Sequence, residues 1–93
     1  MRFISLQKSP RRDKKYMIRF EEPNLTIHFG SKNSSTFLDH HDENLRENYL
    51  KRHFVNEDWS RVNAGSLSRW ILWGPTTDLR ANLTLFLERF GIE

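Results

Sequence analysis

The chain has 93 residues, a formal net charge of +3 and no cysteine. That length builds one domain around a single core, and the missing thiols exclude disulfides and thiolate metal sites. No apolar run approaches the roughly 20 residues a membrane helix needs, and the first residues lack a signal-peptide pattern, so a non-secreted protein without membrane contact is expected.

Charge is unevenly placed. Residues 1–20 hold seven basic side chains and one acid, whereas residues 21–93 hold eight basic and eleven acidic ones. The positive character therefore belongs to an N-terminal arm, and the body is negative. Residues 2–6 suit a short strand. Residues 8–15, KSPRRDKK, read as a basic, mobile loop whose Lys8, Arg11, Arg12, Lys14 and Lys15 are candidate contacts to phosphate or to an acidic protein surface. A solvated loop is the plain alternative. Residues 1–15 are thus read as strand plus basic arm, and residues 16–93 as the folded domain.

Tyr16, Ile18 and Phe20 alternate with Met17 and Arg19; Leu25, Ile27 and Phe29 alternate with Thr26 and His28. Period two marks half-buried strands, and Glu21-Glu22-Pro23-Asn24 between them suits a hairpin turn. Thr36-Phe37-Leu38 is expected as a third strand against the hairpin. Asp39 or Asp42 can cap a helix over residues 43–54, with Leu45, Tyr49 and His53, joined by Leu50 and Phe54, on its apolar side and Arg46, Glu47 and Lys51 opposite. Residues 55–62 connect, with Trp59 folding back on the core.

All three tryptophans lie in residues 59–75, which are expected to form the core, since Trp brings the largest apolar area. Asn63 suits the cap of a second helix over 64–73, with Leu67, Trp70 and Ile71 on one face and Leu72 and Trp73 off it. Gly74-Pro75 stops it. Thr76 or Thr77 is the expected cap of a third helix, with Asp78 in its first turn and Leu79, Leu83, Phe86, Leu87 and Phe90 on one face. The fold class is α+β: an N-terminal antiparallel hairpin with extra short strands, then three helices on one sheet face.

A wider pattern runs through Phe29-Gly30, His40 and Asp42, Tyr49 with Arg52-His53, Trp59, Ala64-Gly65-Ser66-Leu67-Ser68-Arg69-Trp70, Leu72-Trp73, Pro75 and Arg89-Phe90. This order resembles a family of small uncharacterised proteins of nucleocytoplasmic large DNA viruses, the giant viruses of algae and protists. The likeness spans residues 16–90. The loop Gly74-Pro75-Thr76-Thr77 is one residue longer than the family's, and the basic arm lies outside the pattern. The family has no assigned activity, so the resemblance implies a viral origin and one compact domain, and no reaction.

Four constellations bear on chemistry. Asp39-His40-His41-Asp42 with His53 has ligand types for a metal nuclease, but no strand separates the histidines from the helix and no His pair has i,i+4 spacing; helix capping accounts for His40 and Asp42. Tyr49, Arg52 and His53 share one helical turn and suit either a recognition pocket or half-buried structural groups. Ser66 and Ser68 lack the preceding strand of a nucleophile elbow and read as helix-surface residues, while Arg69 suits a pair with Glu57 or Asp58 or a stack on a Trp. Ser9-Pro10-Arg11-Arg12 resembles segments lying along the DNA minor groove.

These readings predict a protein that is not an enzyme and needs no metal or cofactor. The expected role is structural or assembly work through other viral proteins in a virion or infected host cell. The alternative is an accessory protein contacting DNA or RNA phosphates through residues 8–15. The cluster assigned to recognition or structure is His40, Asp42, Tyr49, Arg52, His53, Trp59 and Arg69.

Overall fold

A computed structural model describes residues 1–93. Strands β1 (Arg2–Lys8), β2 (Lys14–Glu21) and β3 (Leu25–Ser31) form an antiparallel sheet in the order β1-β2-β3. The expected hairpin is β2–β3, in which Tyr16 opposes Phe29, Ile18 opposes Ile27 and Phe20 opposes Leu25. Its inward residues Ile18, Phe20 and Phe29 are buried. Fully burying a side chain of this size contributes about 1.5–3 kcal/mol.

β1 extends to Lys8, and the residues read as a mobile arm are the end of this strand, a tight connection and the start of β2. Ser9 is buried there, its hydroxyl 2.7 Å from His28 Nδ1 and accepting from the Arg11 N–H at 3.1 Å. Lys14 and Lys15 belong to β2. A bulge between Phe3 and Ser5 skips Ile4, so Phe3 pairs with Phe20 and Leu6 with Ile18. Two apolar residues three apart thereby reach one sheet face, which uninterrupted alternation forbids.

Residues 36–38 form no strand. Thr36 caps a one-turn helix, α1 (Phe37–His40), through a reciprocal capping box with Asp39. Helix α2 (Glu43–Phe54) has the expected bounds, and Asp42 caps it by accepting from the Asn44 and Leu45 N–H groups at 2.9 and 3.2 Å. Its inward side differs from the expected one. Tyr49 is buried, Arg46, Leu50 and His53 are half-buried, and Leu45 and Phe54 are exposed.

The second helix begins as α3 (Ala64–Leu67), then widens to a π-helical turn, Ser68–Leu72. Ser66 is buried, bonded reciprocally with the cap Asn63, and is not a surface residue. The π turn closes with Trp73 N–H donating to the Ser68 carbonyl five residues back, at 2.9 Å. The widened turn shifts the register, so Leu72 and Trp73 are buried while Trp70, expected at the centre, is half-exposed.

Helix α4 (Leu79–Arg89) is capped by Asp78, not by a threonine. Its Asn82 is fully buried and has a full set of partners: it donates to the Ile71 and Thr76 carbonyls, both at 2.8 Å, and accepts from the Thr76 N–H and hydroxyl. Asn82 thus ties the turn after the π segment to the last helix. The fold is α+β, with the helices on the sheet face that carries Ile18 and Phe29.

Candidate functional site

Helix α2 stands beside the end of the π turn and presents its side chains one turn apart. Tyr49 stacks on Trp73 with 4.2 Å between centroids and 4° between planes. His53 covers the other Tyr49 face at 4.1 Å. His40 meets Trp73 at 5.3 Å and Phe37 at 6.3 Å, which extends the column to α1. Such ring pairs add about 0.5–1.5 kcal/mol beyond area burial. Burial is the main cause that raises the Tyr49 phenol above its ordinary range, and the Glu57 charge adds to it.

The connector supplies a residue whose place the sequence did not reveal. The Glu57 carboxylate bonds His53 Nδ1 with one oxygen and accepts from Trp59 Nε1 at 3.3 Å with the other. A Cβ at position 65 would collide with that carboxylate. Gly65 therefore leaves room for the Glu57 side chain.

Arg69 stacks over Trp70 at 4.0 Å and Trp59 at 5.2 Å and pairs with no carboxylate. It donates to the Trp73 carbonyl at 3.1 Å, and Arg46 Nε donates to the same carbonyl at 3.2 Å and to that of Gly74 at 3.0 Å. Two guanidinium groups thereby satisfy the carbonyls at the end of the π turn. Burial, then repulsion from Arg46 and Arg89, lowers the Arg69 pKa to about 10.

Between α2, the β3–α1 loop and the start of α3 lies an open groove of about 750 Å³. Lys14, His40, Tyr49, Arg52 and His53 of the sequence candidates line it, joined by Glu57 and Trp73. Asp42 caps α2, and its N–H donates to His40 Nδ1 at 2.9 Å. Trp59 and Arg69 support the groove from outside its lining. Arg11 is engaged by Asp13 at 3.2 Å. Lys8, Arg11 and Arg12 are exposed and do not line the groove. Nowhere do three His, Asp or Glu side chains gather as metal ligands.

At the end of α2, directly after the groove-lining His53, Phe54 and Val55 are 69% and 74% exposed. Trp59 meets Phe54 edge to face at 5.9 Å. A family of unknown function, DUF5754, matches residues 4–53. The chain belongs to that family. The DUF5754 segment takes in the sheet, α1 and α2 up to His53, hence one wall of the groove; Glu57, Ser68 and Trp73 of the opposite side lie beyond it. No curated protein and no solved structure matches the chain. No helix is long and apolar enough to cross a membrane.

Proposed function

We propose that this DUF5754 protein is a non-enzymatic interaction module that docks a partner protein on the end of α2. The observation that carries this reading is the exposed Phe54–Val55 pair with Trp59 at its edge. Two adjacent large apolar side chains more than two-thirds exposed are a loss in water that a protein interface recovers. Lys51 and Arg52 precede the pair and have no carboxylate within ion-pair distance. The partner is therefore expected to present an apolar hollow rimmed by acids.

A non-catalytic reading is supported by the tasks that the cluster's polar groups already have. Asp42 caps α2, His40 accepts from the Asp42 N–H, His53 pairs with Glu57, and Arg69 closes the π turn. The resemblance to giant-virus proteins suggests that the partner is another protein of a large DNA virus particle, met in the virion or the infected cell.

The test compares affinity capture by the wild type and by a Phe54→Ser/Val55→Ser variant, each checked for fold by circular dichroism. A partner held by the wild type and lost by the folded variant, then rebound as a purified protein, is the expected result. Equal capture by both would reject the docking surface.

The hairpin between β1 and β2 supports a second reading, nucleic-acid contact, because Lys8, Arg12 and Lys15 form no ion pair. Mobility shifts with random duplex and single-stranded DNA at low and moderate salt test it. Charge substitutions at Arg12 and Lys15 are the suitable variants, since removing residues 1–15 would delete β1. No shift at low salt would end that reading.

A further inference from the structure

We propose that the groove beside α2 is a binding site for a phosphate monoester of small-molecule size. This goes beyond the docking surface at Phe54 and Val55, with which the groove shares Arg52 alone. The groove's volume of about 750 Å³ lies within the roughly 300–1,000 Å³ of ordinary small-molecule sites.

Its charge is unbalanced. Lys14 and Arg52 line it and neither pairs with a carboxylate; Arg52 spends only its Nε on the Asn48 carbonyl of its own helix, at 3.4 Å. The one carboxylate in the lining, Glu57, is already bonded by His53 and Trp59. Two free cations match the charge of −1.5 to −2 that a phosphate monoester carries near pH 7.

The neutral donors point the same way. His40 lines the groove, but its Nδ1 accepts the Asp42 N–H and its Nε2 is closed off from solvent, so it contributes wall and leaves the hydrogen bonding to the serines. Ser34, Ser35 and Ser68, each with a hydroxyl to donate, line the same space. Three tetrahedral oxygens use this many donors better than the two of a carboxylate. Leu45 and Leu72 give apolar wall for the organic part of the ligand.

The test is an NMR titration of the full-length, ¹⁵N-labelled protein at constant ionic strength. The probes are inorganic phosphate, phenyl phosphate and acetate. Saturable shifts at Ser35, His40, Asn48 and Ser68 are expected with both phosphates, with tighter binding of phenyl phosphate. Arg52→Gln and Lys14→Gln should each weaken binding by about tenfold, as loss of one charge-assisted contact does, while Arg12→Gln on the hairpin should leave it unchanged. Absent or unsaturable shifts would overturn the proposal. So would shifts confined to residues 8–15, equal binding by Arg52→Gln, or acetate binding as tight as phosphate. Inorganic phosphate binding more tightly than phenyl phosphate would overturn the assignment to a monoester.

Discussion

Tyr49 and Trp73 lie ring on ring, 4.2 Å apart and within 4° of parallel. They are 24 positions apart in sequence, on α2 and at the end of the π turn. Their stack joins the DUF5754 segment to the remainder of the chain. Trp73→Ala is expected to cost about 3–5 kcal/mol, the range for large core truncations. Trp70→Ala should cost less, because Trp70 is half-exposed and Arg69 and Arg89 cover its ring. A double-mutant cycle of Tyr49→Leu with Trp73→Leu in urea should return a coupling of about 0.5–1.5 kcal/mol. Additive losses would mean that the rings pack without coupling.

Asn82 is the polar group on which the turn at residues 74–77 depends. Asn82→Leu keeps the branched shape but leaves the Ile71 and Thr76 carbonyls and the Thr76 N–H without their amide partner. Each buried polar group left unpaired costs about 1–3 kcal/mol. A loss of roughly 3 kcal/mol or more in urea unfolding is expected. A change under about 0.5 kcal/mol, the level of a neutral surface site, would show that water replaces the side chain readily.

Alkaline pH should expose the burial of Tyr49. Its folded-state pKa is raised, so above the ordinary tyrosine value, near 10, the unfolded chain loses a proton that the fold retains. The stabilisation is complete below that value and falls as pH rises through the folded-state value. Arg69 acts oppositely: its pKa is lowered to about 10, so between there and its ordinary value the unfolded chain binds more protons and stability rises with pH. Comparing wild type with Tyr49→Phe isolates the tyrosine. The wild type should lose more stability from pH 9 to pH 11, about one unit to either side of that value. Parallel curves would contradict the burial.

Acid should act through the α1 capping box. The Thr36 N–H bonded to Asp39 is the main cause holding its carboxyl below the usual range. A lowered carboxylate stabilises the fold above its unfolded value and ceases to as pH falls through the folded one. Asp39→Asn should therefore be less stable than wild type at neutral pH, with the gap closing in strong acid. A gap independent of pH would assign the effect to packing.

Much of this fold was legible. The hairpin shows as two period-two runs, and α2 is bounded by Asp42 and its amphipathic run. The inward side of α2 was misjudged because Arg46 scores as polar, while its guanidinium reaches inside to the Trp73 and Gly74 carbonyls. The helical period sets Trp73 off the main face of its helix because an ideal period does not foresee a π turn. The bulge at Ile4 likewise conceals Phe3 and Leu6 as one face. In the groove, Tyr49 and His53 were readable from their spacing on one helix. Glu57 was not, because the connector's path and the space left by Gly65 decide where its carboxylate lies. Asn82 carries a faint mark, a polar residue beside Leu83 on an otherwise apolar face.

The most direct measurement of the docking claim is photo-crosslinking from a benzophenone phenylalanine at position 54, with exposed Thr84 on α4 as the control position. The docking surface predicts one discrete crosslinked protein from position 54, joined at an apolar site flanked by carboxylates, and none from position 84. The same products from both positions, or crosslinks to nucleic acid alone, would contradict it.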